Sequence, residues 1–122
     1  MAEVTIEGDL LVVAVEVADR LWSLKSRLEI PLAHVTGAHI DPAFVREQRY
    51  RGIRLAGTSM PGIITAGTWR QQGNWVFWDV HDPDETIIIE LADEWYARLV
   101  VQVDDSDATV AAIRRALGEV LA

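Results

Sequence analysis

The stretch from residue 63 to residue 103 reads IITAGTWRQQGNWVFWDVHDPDETIIIELADEWYARLVVQV. Short apolar runs alternate in it with clusters of Gly, Asn, Asp and Pro, a pattern typical of β-strands separated by turns. We therefore predict strands over 63–70, 74–80, 86–91 and 98–103. Because the turns are short, we expect each strand to pair antiparallel with the next one along the chain.

The N-terminal residues predict a β-hairpin. Val4 and Ile6 alternate with polar neighbours, which is the period of a half-buried strand. Gly8 and Asp9 supply a two-residue turn, and the apolar run 10–17 forms the second strand of the hairpin.

The segment between this hairpin and residue 63 is less regular. A helical spacing of leucines predicts a short helix over 18–26, and extended patterns predict strands over 27–30 and 35–40. Pro31 separates these two strands because proline cannot donate a hydrogen bond to a sheet. Residues 41–62 are rich in Gly and Pro, so we predict that they form mostly loop.

The C-terminal residues predict an amphipathic helix over 106–121. Asp105 or Ser106 can cap its first amides, and Asp107 places negative charge near the positive end of the helix dipole. The apolar positions then follow a helical stripe, formed by Val110, Ile113, Leu117 and Val120. Six to eight strands with one such helix indicate a single, mainly β domain over 1–122, a small barrel or curled sheet whose open side the helix covers.

Several segments resemble the bacterial pleckstrin-homology-like (PH-like) domains. They are IPLAHV (30–35), RGIRLAGTSMPGIITAGTW (51–69), WVFWDVHD (75–82), TIIIEL (86–91) and ARLVVQVDD (97–105). The resemblance implies a bent antiparallel barrel of about seven strands with a C-terminal helix over one opening. It implies a bacterial protein without catalytic residues, in a superfold whose bacterial members form symmetric oligomers. Phosphoinositide binding does not carry over, because the first hairpin has no basic residue and carries Glu3, Glu7, Asp9 and Glu16.

Charge limits the classes of partner. The net charge is −8, which opposes nucleic acid and anionic membranes as partners, since both require cationic surface. The charge is also segregated: residues 43–70 hold five arginines and one glutamate, whereas residues 79–107 hold ten acidic residues and one arginine. The chain has no cysteine, no apolar run near 18 residues and no signal-peptide pattern, so we expect a cytoplasmic protein.

The group most similar to a catalytic or metal site is His81 with Asp79, Asp82 and Asp84. Histidine and carboxylates can bind a divalent metal or transfer protons. The same residues are also those of an ordinary polar turn between two strands, and we favour that interpretation. His34 and His39 are interpreted as structural. We therefore predict no catalytic residue, no metal site and no cofactor.

The arginine-rich segment REQRYRGIR (46–54) has three interpretations. Its candidate contact residues are Arg46, Arg49, Tyr50, Arg51 and Arg54. The one we favour is pairing with the domain's own acidic residues, which is common at protein surfaces. The others are contact with an anionic ligand or acidic protein, and contact with the acidic residues 79–94 of another copy.

The strand over 74–80 is apolar on both faces. Trp75 and Phe77 point to one side, and Val76, Trp78 and Val80 to the other. One face must pack in the core, and the other must be covered by the chain itself, through its helix or its 42–62 segment, or by a partner. Tryptophan is enriched at interfaces, so Trp69, Trp75 and Trp78 are the candidate interface aromatics.

These observations leave two classes of function. The first is a non-catalytic module for binding or assembly, whose partner is itself or another protein. The alternative is a small-molecule-binding barrel or minor enzyme with a pocket under residues 42–62, lined by Tyr50, Trp69 and the arginines.

Overall fold

A computed structural model describes residues 2–15, 27–49, 51–60 and 64–121. Within these residues the chain forms two β-sheets, two α-helices and two short 3₁₀ turns, at Leu32–His34 and Pro83–Glu85. The strands are β1 (Ala2–Glu7), β2 (Leu10–Val15), β3 (Arg27–Pro31), β4 (Val35–His39), β5 (Ile53–Met60), β6 (Ile64–Gln71), β7 (Asn74–Val80), β8 (Thr86–Leu91) and β9 (Tyr96–Gln102). The helices are α1 (Pro42–Gln48) and α2 (Ser106–Leu121).

The smaller sheet is an antiparallel meander in the order β1-β2-β3. The predicted hairpin is confirmed: β1 and β2 are joined by Gly8 and Asp9, and Gly8 takes the positive φ of 63° that the turn requires. The predicted strand over 27–30 is present as β3, which extends one residue further and ends at Pro31. The predicted helix over 18–26 lies outside the described residues.

The larger sheet has six strands in the order β4-β8-β9-β7-β6-β5. The predicted strands are present, but the prediction that each pairs with the next is wrong for β7 and β8. β9 lies between them and runs parallel to β7. The connection from β7 to β8 contains the turn at Pro83–Glu85 and is long enough to pass the width of one strand. The Gln102 side chain, at the end of β9, accepts the amides of His81 and Asp82 and so fixes β9 beside this connection.

The two sheets do not form the single closed seven-stranded barrel that we expected. In the described part of the chain they remain separate. A buried apolar cluster fills the space between the smaller sheet, one face of the larger sheet and α2. We call it core cluster one; it includes Leu11 and Val13 of β2, Phe77 of β7, Leu99 of β9 and Ile113 of α2. The chain is therefore mainly β with a C-terminal helix, as predicted. Its main core, however, lies between two separate sheets and α2, and not inside a closed barrel. Neither described helix is long and apolar enough to cross a membrane.

The prediction that residues 41–62 are mostly loop is wrong. The segment contains α1 and most of its C-terminal half is β5. Asp41 caps α1 by accepting the Phe44 amide at 3.1 Å, and Pro42 occupies the first turn, where proline is tolerated. Gly52 has a φ of +88°, and a Cβ built there would lie 2.3 Å from the Arg70 carbonyl oxygen, so the turn into β5 requires glycine.

Candidate interaction surface

The chain itself covers both faces of β7. Phe77 belongs to core cluster one. Val76, Trp78 and Val80 belong to core cluster two, on the opposite face of the larger sheet, where α1 contributes Val45 and Phe44 packs against them. The 42–62 segment therefore covers this face, which is the simpler of the two interpretations.

The three candidate interface aromatics differ in position. Trp78 is fully buried and Trp69 is 4% exposed, both within core cluster two. They contact their own chain and offer no surface to a partner. Trp75 differs from them, because it lies half-buried at the start of β7, on the other face of the sheet.

Trp75 lies in a row of side chains that crosses four strands. Ile53 pairs with Arg70, Arg70 with Trp75, and Trp75 with Tyr96, so these residues share one face of the larger sheet. The Arg70 guanidinium carbon lies 5.0 Å from the centre of the Trp75 ring, which is cation–π distance. Trp95, just before β9, stacks on Trp75 with ring centres 4.9 Å apart and an angle of 11°.

Tyr96 fixes this row to the interior. Its hydroxyl lies 2.7 Å from the Thr68 hydroxyl, and its ring meets Phe77 edge to face. Burial raises the pKa of the Tyr96 phenol, so the hydroxyl stays protonated at neutral pH. Tyr96 therefore anchors the β9 end of the row, and Ile53 lies at its β5 end.

Exposed apolar side chains lie at both ends of the row. Ile53 is 75% exposed, Leu55 59% and Trp95 58%, and these are the large hydrophobic side chains that the described residues leave exposed. Leu55 is the extra residue of a β-bulge between Arg54 and Ala56. We call the set Ile53, Arg54, Leu55, Arg70, Trp75 and Trp95 the edge surface.

The edge surface includes the first residues of β5, which is the last described strand of the larger sheet. β5 is eight residues long and, among the described residues, pairs only with β6. At the other end of the sheet, α2 packs against β4 and the Arg114 side chain donates to the Ala38 carbonyl at 3.0 Å. An edge strand presents unpaired amides and carbonyls, and natural proteins usually shield such edges. Among the described strands, β5 combines this edge position with the exposed apolar side chains of Ile53 and Leu55.

Three of the candidate arginines have contacts in their own chain. Arg46 pairs with Asp84, as the favoured interpretation predicts, and both side chains are exposed. The Arg51 Nε atom donates to the Glu47 carbonyl at 3.1 Å. Arg49 is 6% exposed, and it donates to a set of oxygens at 2.9 to 3.2 Å: Thr65 Oγ1, Val80 O and His81 O. Arg49 is therefore a structural residue that joins α1 to the ends of β6 and β7.

Arg54 is different from the other three. It is exposed, and within the described part of the chain no ion pair involves it. Arg54 pairs with Trp69, so it lies on the opposite face of β5 from Ile53. The remaining candidate, Tyr50, lies outside the described residues.

The residues around His81 differ in burial and in their contacts. Asp79 is fully buried, whereas His81 is exposed. Asp82 accepts the Asp84 amide at 2.9 Å as a turn cap, and Asp84 pairs with Arg46. The described residues contain no group of three or more His, Asp or Glu side chains arranged to hold a metal ion. Sequence reasoning found no acidic partner for His34 beyond Asp41, but its Nδ1 lies 2.7 Å from Glu94 Oε2.

Two surface cavities lie away from the predicted pocket. One, of about 310 Å³, lies between β4 and α2 and includes His39, Asp107 and Arg114. The other, of about 270 Å³, lies between β1 and the start of α2 and includes Glu3, Asp104 and Asp105. Neither touches Trp69 or the arginines of 46–54. The alternative function under residues 42–62 therefore gains no support from these cavities.

Sequence reasoning missed the exposed apolar residues of the edge surface. Ile53 and Leu55 fell in a segment interpreted as loop, and Trp95 in the turn before β9. The signal available was the pair of apolar residues around Arg54, in RGIRLAG (51–57). Comparison with family models, with curated proteins and with solved structures gives no match to this chain.

Proposed function

We propose that this chain is a non-catalytic assembly module that associates with itself through the edge surface. The observation that carries the proposal is the exposure of Ile53 and Leu55 on the edge strand β5, together with that of Trp95, which stacks on Trp75 in the same row of side chains. Large exposed apolar groups that lie together mark interaction sites more often than isolated ones do. Fully burying an isoleucine or leucine contributes about 1.5–3 kcal/mol, so two such residues can support a specific contact.

The composition of the edge surface fits a protein partner. Tryptophan and arginine are enriched at the centres of protein interfaces, where a few residues supply most of the binding energy. Trp75, Trp95 and Arg70 form one stack, and Trp75 and Arg70 are held by strand pairing. Such a stack needs little further ordering on binding, which lowers the entropic cost of association.

The finer fold assignment is part of the same proposal. We assign the chain to the PH-like superfold on the basis of its sequence resemblance and of two packed sheets with a C-terminal helix. The parallel pair β7 and β9 is a departure from the all-antiparallel order that the resemblance implies. Function is therefore argued from the edge surface and not from the fold.

Light scattering at several protein concentrations tests the proposal. The mass of the wild-type protein is expected to rise with concentration. A double variant, Ile53→Thr with Leu55→Thr, is expected to weaken association about tenfold or more, because threonine keeps the strand propensity but removes apolar area. The matched control, Ile53→Val with Leu55→Val, should retain most of the association. A wild-type protein that stays monomeric at every concentration contradicts the proposal.

A further inference from the structure

We infer that the occupant of the β5 edge is strand β1 of a second copy, added antiparallel to extend the larger sheet. This inference rests on the proposed function, since it names the partner of the edge surface. Three features of β1 and β5 support it: both are edge strands, they carry opposite charges, and their apolar and charged side chains alternate in a compatible way.

β1 is also an edge strand. Among the described residues it pairs only with β2. Glu3 is exposed, and in the described part of the chain no ion pair includes it. Glu7, by contrast, lies 3.4 Å from Arg27. Among the described strands, β1 therefore offers an edge without a second partner and one available carboxylate, and β5 offers such an edge with one available guanidinium, that of Arg54.

The acidic surroundings of Glu3 strengthen this match. The cavity beside β1 is lined by Glu3 together with Asp104 and Asp105. An arginine that enters this region meets negative charge from both β1 and the start of α2. In a chain of net charge −8, a second copy is repelled by most of the surface. The cationic edge around Arg54 is one of the places where it is attracted.

The alternation of side chains along β1 and β5 indicates which residues would lie opposite each other. Val4 and Ile6 pack toward core cluster one, and Ile53 lies on the corresponding face of the larger sheet. An antiparallel register that puts Ile53 opposite Val4 puts Arg54 opposite Glu3. A parallel register with the same apolar pair puts Arg54 opposite Thr5 instead. With Ile53 opposite Val4, only the antiparallel arrangement places a carboxylate opposite Arg54. A parallel register with Ile53 opposite Ile6 would use Glu7, which Arg27 already contacts.

The other strand edges fit less well. At β3, Arg27 is already paired with Glu29 and Glu7 in its own sheet. Pairing of β5 with itself would bring arginine-bearing edges together and would supply no carboxylate from β5. β1 to β5 is a contact between two different surfaces, so each copy retains one unused edge. Contacts of this kind continue into rings or filaments instead of stopping at a dimer.

Charge exchange tests the inference. Glu3→Arg and Arg54→Glu each place like charges at the contact, so each variant alone is expected to associate about tenfold more weakly than the wild type at low salt. An equimolar mixture of the two variants restores opposite charges between copies and should recover association. The double variant, with both exchanges in one chain, should recover it as well. Both positions are exposed, so thermal unfolding is expected to stay close to that of the wild type.

The outcomes separate this inference from the proposed function. Recovery in the mixture, with a mass that keeps rising with concentration, supports pairing of β1 with β5. The inference is overturned if neither charge exchange weakens association, or if the two variants associate weakly alone and do not recover when mixed. Either result leaves the proposed function in place. A stable dimer that is sensitive only to Ile53 and Leu55 indicates β5 pairing with itself and likewise overturns it. A monomeric wild type overturns both.

Discussion

Gln71→Leu is expected to lower the free energy of unfolding by about 3 kcal/mol, because three hydrogen bonds are lost at one buried position. The Gln71 side chain donates to the Gln48 carbonyl at 2.8 Å and to the Arg51 carbonyl at 2.9 Å. Its Oε1 accepts the indole N–H of Trp78 at 3.0 Å. Gln71 is 5% exposed and Trp78 is fully buried, so water cannot readily replace the amide at the indole.

Thermal and urea unfolding measure this effect. For a domain of this size the loss corresponds to a fall of about 10 °C in the midpoint. Gln72→Leu is the matched control, since it makes the same change at the neighbouring exposed residue and should alter stability by less than about 0.5 kcal/mol. If both variants unfold at the wild-type temperature, the hydrogen bonds of Gln71 do not hold the structure together as we describe.

The same substitution connects stability to the edge surface. Gln71 binds the carbonyls of Gln48 and Arg51, which lie on either side of the junction between α1 and β5. It is one of the polar contacts that fix where β5 begins. Gln71→Leu should therefore weaken self-association even at temperatures where the protein remains folded, whereas Gln72→Leu should not.

The strands were predictable from sequence because their signal is local. Side-chain alternation and turn residues place β6, β7 and β8 within a residue or two of their observed bounds. The order of the strands in the sheet is a different matter, since it depends on which elements meet in three dimensions. β9 pairs along its length with both β7 and β8, and the Gln102 side chain adds two hydrogen bonds to distant amides; no spacing in the sequence marks these contacts.

The edge surface shows the same limit. Composition alone favoured a loop over 41–62, although the Asp41-Pro42 pair is a helix start signal that outweighs the glycines further on. Gln71 and Gln72 are adjacent and chemically identical, yet one is buried and the other exposed. Whether Ile53 and Leu55 are exposed depends on β5 being the last strand of its sheet, which is a property of topology and not of the residues themselves.

Ile113→Ala is the second large effect we expect, and it tests whether α2 is an integral part of the core. Ile113 is 1% exposed and lies in core cluster one with Val110 and Ala116. Truncation of a buried isoleucine to alanine removes apolar contacts and leaves a cavity, which costs about 2–5 kcal/mol. We expect a loss near 3 kcal/mol, measured by urea unfolding monitored through circular dichroism.

The helix itself gives the control that makes this measurement decisive. Arg115→Ala removes an exposed side chain from the same helix, with similar helix propensity, and should change stability by less than about 0.5 kcal/mol. Asp105 caps the helix by accepting the Ala108 amide at 3.0 Å, and the Val103 amide donates to the Glu85 carbonyl, so the start of α2 is fixed to the larger sheet. Equal stability of both variants would mean that α2 contributes no burial. The packing of α2 against β1 and β4 would then not stabilise the core between the two sheets.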